Sequence, residues 1–184
     1  AMAALQSEER ALADALPAAV QLPLAGVYHP AWPQVQPGTQ LVFERNGPLA
    51  FANIAQAAPK TVAIAVNNAV FTSDDTAWLD SLIAALEQRG LRAYAFYGPR
   101  QQKDLFFQMT HLPNGQRVAD VLINAALVFN PSDRKAELER IGIPVLQTMP
   151  ALAMDAAQWA ESKDGLALSE VSYYYTPSEL AGMT

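Results

Sequence analysis

The feature that most constrains this chain is an alternation that begins at Lys60. "KTVAIAVNN" (60–68) is a β-branched apolar run, the pattern of a strand buried on both faces. "SDDTAWLDSLIAALEQRG" (73–90) then predicts a helix, with Ser73 or Asp74 as N-cap, Gly90 just past its end, and Trp78, Leu82, Ile83 and Leu86 as its apolar stripe. "LRAYAFYG" (91–98) reads as a second strand and "QQKDLFFQMTHL" (101–112) as a second helix. "VADVLIN" (118–124), "SDRKAELERIG" (132–142) and "IPVLQTM" (143–149) continue as strand, helix and strand. "MDAAQWAES" (154–162) is a further helix, with Asp155 placed to cap it.

Steady strand–helix alternation implies an α/β fold: a flavodoxin-like or Rossmann-like parallel sheet with helices on both faces. A proline-rich arm is expected to precede it. Prolines at 17, 23, 30, 33, 37, 48 and 59 forbid any long helix there, leaving room for short extended pieces such as "LAGVY" (24–28) and "QLVFE" (40–44). "ALQSEERALADAL" (4–16) suits a short amphipathic helix. The expected division is therefore 1–59, helix and arm, and 60–184, α/β domain. Near the end, "SYYYT" (172–176) reads as a strand, placing Tyr173 and Tyr175 on one side and Tyr174 on the other.

Composition removes several functions. Cysteine is absent, which excludes disulfides, thiolate nucleophiles and Cys-ligated metal sites. The net charge is −6 and no basic stripe stands out, so nucleic acid is not an expected partner. No apolar run is long enough for a membrane span.

In a parallel α/β sheet, ligands gather beyond the carboxyl ends of the strands, near a topological switch point. Those ends carry Asn67 and Asn68, Tyr97 and Gly98, Asn124, and Thr148 and Met149. A dinucleotide site would need a glycine-rich turn after the first strand, but "NNAVFTSDD" (67–75) has no glycine, and its two aspartates would repel phosphate. A phosphoacceptor site would need carboxylates where Asn67 and Asn124 stand. The only imidazoles are His29 and His111, and no Gly-x-Ser-x-Gly elbow occurs, so triad catalysis has no basis. His111 reads as a partly exposed residue at a helix end. His29, in "GVYHPAWP" (26–33), is held between Tyr28 and Pro30 with Trp32 close by. It could ligate a metal, stack on a flat macrocycle, or simply anchor the arm by a hydrogen bond.

The succession "GVYHPAWP", "TVAIAVNN", "WLDSLIAALEQRGLRAYAFYG", "ADVLINAALVF", "IGIPVLQTM" and "QWAESKDGLALSEVSYYYTPSELAGMT" resembles the large subunit of cobaltochelatase and its relative, the magnesium chelatase large subunit. The resemblance covers roughly residues 20–184; the "PSELAG" turn at 177–182 departs from the family's "PEl.G" by an inserted serine. It implies a cytoplasmic enzyme that inserts a divalent metal, cobalt favoured over magnesium, into a tetrapyrrole. ATP is then hydrolysed by separate AAA+ subunits, which with the macrocycle and the remaining domains of the parent are the implied partners. It also implies that the parent chain continues past Thr184, that its catalytic residues lie elsewhere, and that this piece alone is inactive and holds no cofactor of its own. Tyr28, His29, Asn67 and Asn124 are the candidate substrate-binding residues, and His29 is the one candidate metal ligand. Two other readings stand beside this one: a tetrapyrrole- or haem-binding, metal-removing module of a haem-handling relative, and a catalytically silent scaffold that docks other domains.

Overall fold

The computed structural model describes residues 24–31, 60–99, 102–148, 154–163 and 165–183. The helix read at 4–16, the strand at 40–44, all the prolines named above except Pro30, and Trp32 and Met149 lie outside these residues. Five strands form one sheet: β1 (Gly26–Tyr28), β2 (Thr61–Ala65), β3 (Arg92–Tyr97), β4 (Val121–Asn124) and β5 (Val145–Gln147). Their spatial order is β1-β3-β2-β4-β5. β2 pairs in parallel with β3 and with β4, and β4 with β5. The expected α/β sheet is present, but it is mixed: β1 runs antiparallel to β3, with Gly26 opposite Tyr97 and Tyr28 opposite Ala95. This edge strand comes from the segment read as arm.

Helices α1 (Ala69–Thr72), α2 (Ala77–Glu87), α3 (Leu105–Thr110) and α4 (Pro131–Ile141) lie between the parallel strands, and α5 (Ala156–Glu161) follows β5. Because successive residues of a strand face opposite ways, the sheet sorts its apolar residues into two layers. Val62, Ile64, Ala95 and Tyr97 pack with Leu79 and Ile83 of α2 and with Phe71 of α1. Ala63, Tyr94, Phe96 and Leu122 pack on the other side with Leu105, Phe106 and Met109 of α3 and Ile141 of α4. Helices thus cover both faces, as the alternation requires.

The helix read from Ser73 starts later than expected: the short α1 ends at Thr72, and residues 73–76 form a turn before α2. Asp74 takes a left-handed backbone (φ 55°), and α2 begins after Thr76, which offers no side-chain cap. The core-facing stripe shifts accordingly: Leu79 and Ile83 are fully buried, while Trp78 is 40% exposed. Asp155 behaves as read. Its carboxylate accepts from the Gln158 backbone N–H while the Gln158 side chain accepts from the Asp155 N–H, a reciprocal cap on α5.

The tyrosine-rich stretch is not a strand. It is helical throughout: α6 (Leu168–Glu170), a π-helical stretch (Val171–Tyr175) and α7 (Thr176–Leu180). Glu170, Tyr174, Ser178 and Ala181 are the buried positions, a helical spacing that turns one face inward. Pro177 has no N–H to close onto the carbonyl of Tyr173, and the wider π turn takes up that break. Ala181 and Met183 then pack on Val128, next to Leu138 of α4 and Val145 of β5.

Candidate functional site

Numbered among the parallel strands alone, the order β3-β2-β4-β5 is 2-1-3-4, which puts the switch point between β2 and β4. Asn67 and Asn124 follow those two strands, so the structure brings these two candidates together. Asn124 is wholly buried. Its amide nitrogen donates to Gln147 Oε1 (2.7 Å) and to the Ala126 carbonyl (3.2 Å), with Met183 Sδ at 3.9 Å. Its side-chain oxygen accepts from the Ala126 N–H (3.3 Å), and its carbonyl accepts from both the N–H and the hydroxyl of Thr148. Such a residue is a clip: it fixes the loop after β4 and ties β5 and the tail to it.

Asn67 is different. Its Oδ1 accepts from the Leu127 N–H (3.3 Å), closing the β4 loop over the end of β2. Its amide nitrogen meets no acceptor among the described residues, and the residue lines a narrow crevice with Tyr97, Gly98, Ala126 and Arg134. A Cβ at Gly98 would come within 2.6 Å of the Leu105 side chain, so a larger residue there would push Leu105 aside.

Tyr28 and His29 do not line that crevice. The Tyr28 hydroxyl donates to Asp80 Oδ1 (2.5 Å) in the first turn of α2, and its ring tilts against Phe71 at 5.1 Å. Burial first, and then the Asp80 bond, push its hydroxyl up to about 12, so it stays a neutral donor at ordinary pH. His29 is buried against the far end of α2, with Nε2 3.0 Å from Glu87 Oε1. Its Nδ1 accepts from the Ala31 N–H (3.1 Å), which makes Nε2 the protonated nitrogen that donates to Glu87. Both ring nitrogens are thereby engaged, and a metal could bind only by displacing one of these partners. From Ala77 to Glu87 α2 rises about 15 Å, which sets His29 near the amino edge of the sheet, far from Asn67. No group of three His, Asp or Glu residues that could hold a metal occurs among the described residues. His111 is buried rather than partly exposed. It stacks on Phe107 (centroids 4.3 Å), and its Nδ1 is 3.0 Å from Thr110 Oγ1. Burial and then the nearby Arg117 charge hold its pKa below the usual imidazole range.

The strongest local chemistry lies on a helix that the sequence reads as solvated. "SDRKAELER" reads as a solvated face, yet Arg134 and Glu137 are both buried, at 7% and 5% exposure. Glu137 Oε2 accepts from Arg134 Nη1, and its Oε1 accepts from the Phe107 N–H (2.9 Å), capping the start of α3. The Arg134 guanidinium lies 3.9 Å over the Phe106 ring. Burial drives the Glu137 carboxyl up and the Arg134 guanidinium down, so each charge depends on the other. The sequence held one hint: α4 has few apolar positions, so part of its inward face had to be polar. Beside this pair opens a cavity of about 330 Å³, lined also by Lys103, Asp104, Asn130 and Arg140.

The family model described as CobN/Magnesium Chelatase matches residues 2–184. Among solved structures, the chain is similar to the catalytic subunit of cobaltochelatase from Mycobacterium tuberculosis, with a TM-score of 0.58 and 20% identity. That match covers 88% of this chain and 12% of the other, so the chain spans about an eighth of that relative's length. No curated protein matches.

Proposed function

The chain belongs to the CobN/magnesium chelatase family, and from that premise we propose that it is a domain of a chelatase-type large subunit forming one wall of the cleft that receives a tetrapyrrole. The family match along nearly the whole chain carries this reading. The crevice at the β2/β4 switch point is where the fold would present a ligand-facing surface. There the Asn67 amide N–H groups, free of protein acceptors among the described residues, would donate to the ring or its substituents. Inserting a divalent metal requires a large flat ring to be held in a site poor in water, with few polar groups aimed at it. A rigid sheet edge bearing neutral amides suits the holding part of that task.

Delivery of the metal, cobalt favoured over magnesium, and ATP hydrolysis by AAA+ partners would fall to other domains and subunits. The likeness to a cobaltochelatase subunit is what favours cobalt. No helix among the described residues is long and apolar enough to cross a membrane, in keeping with a cytoplasmic enzyme. A scaffold role has one observation in its favour: Leu168, Tyr173 and Leu180 on the C-terminal helical segment are 82%, 67% and 65% exposed.

Absorbance titration with a metal-free porphyrin, a corrin-type precursor and haemin tests the proposal. A saturable shift at about one ring per chain, weakened several-fold in Asn67→Ala but not in His29→Ala, is the expected result. Flat titrations with all three rings would count against it and leave the scaffold role.

A further inference from the structure

The two members of the buried charge pair are satisfied unequally. Glu137 spends one oxygen on Arg134 and the other on the Phe107 N–H, and the Phe106 N–H also bears on it. A guanidinium is a planar fork of N–H donors with no acceptor of its own. Arg134 gives one N–H to Glu137, and among the described residues its remaining donors meet no acceptor. A group only 7% exposed with most of its donors unmatched is costly unless something else accepts from it. Its ring contact with Phe106 covers one face of the plane and leaves the donor edge unaffected.

Arg134 also lines two openings at once. One is the cavity of about 330 Å³ between α4 and the segment that leads into α3, and the other is the narrow crevice at the switch point that holds Asn67. The other cations of the larger cavity are already matched: Arg140 to Asp104 (2.6 Å) and Lys103 to Asp133 (3.7 Å). We infer that Arg134 is the receptor for a carboxylate group entering this cavity, which its free N–H edge would grip in the two-pronged manner of guanidinium–carboxylate pairs. Such a group could be borne by a free small acid or project from the periphery of a larger ring. The inference does not rest on the macrocycle reading, since it follows from the donor count and the cavity.

The test reads the Arg134 side-chain Nε–H resonance in the full 184-residue chain by nitrogen–proton correlation. The probes are succinate, protoporphyrin and protoporphyrin dimethyl ester. Arg134→Lys assigns the signal and keeps a cation beside Glu137, so the fold is not asked to bury a lone carboxylate. A saturable shift with succinate and protoporphyrin, absent with the ester, supports a receptor for carboxylates of either source. A shift with protoporphyrin only supports a ring-borne one. In either case the lysine variant should bind the same probe about tenfold more weakly, judged by intrinsic fluorescence. An unmoved resonance with every probe, or an equal shift with the ester, would overturn the inference and leave ordered water as the acceptor. Porphyrin absorbance changes without movement of this resonance would place the ring elsewhere and leave the macrocycle reading intact.

Discussion

The two edges of the sheet use their polar groups in opposite ways. At the amino edge the groups that can ionise are consumed by structure. Asp120 accepts from the Thr61 N–H and from Lys60, both at 2.9 Å, stitching the starts of β2 and β4 together. His29 is held by Glu87 and by its own turn. At the carboxyl edge the strand ends carry neutral amides, the charged groups beside them are largely paired with one another, and hydrogen-bonding capacity is left over on Asn67 and Arg134. The imidazole of His29 therefore lies at the opposite edge from the proposed crevice. What marks a site here is unspent donors beside an opening.

This contrast can be broken in order of expected effect. Glu137→Ala should be the most damaging, because it strips the start of α3 and leaves Arg134 buried without its counter-charge. A loss of about 3–5 kcal/mol in urea unfolding is expected. A loss below about 1 kcal/mol would mean that the pair is hydrated and that the satisfaction argument fails. Asn124→Ala should cost about 2 kcal/mol by orphaning the β4 loop and Gln147. A near-neutral result would show that the loop is held without its clip.

The smallest effect should come from Asp120→Asn, and it should depend on pH. Bonds from the Thr61 N–H first, and then from Lys60, hold the Asp120 carboxyl below the usual carboxylate range. A depressed native value means that the unfolded chain takes up the proton first as pH falls. The stabilisation is therefore complete above about pH 5 and fades from about pH 4 downward, through the native value. With its side chain 41% exposed, Asp120 should contribute well under about 1 kcal/mol. The gap between wild type and variant, measured as urea midpoints, should narrow from pH 7 to pH 3. A gap that stays constant would assign the effect to packing rather than charge.

Much of the architecture was legible because local rules and burial agreed. The β-branched runs and the Asp155 cap each act over a few residues, and neither is overruled by its neighbours, whereas the start and inward stripe of α2 were shifted by packing. Asn67 and Asn124 were found as a pair because strand ends in a parallel sheet share an edge whatever their side chains do. The tyrosine stretch was misread because alternation over so few residues does not separate a strand from a half-buried helix. Packing against Val128 and α4 decided it.

By itself the sequence determined the alternating α/β order, the positions of the strand ends and the absence of thiol chemistry, since these follow from residue type and short-range spacing. Tertiary structure alone decided that Gly26–Tyr28 would run antiparallel along β3, that His29 would sit far from Asn67, and that Arg134 and Glu137 would face inward. Each of these depends on partners distant along the chain. No local pattern states which donor will find an acceptor and which will be left facing a cavity.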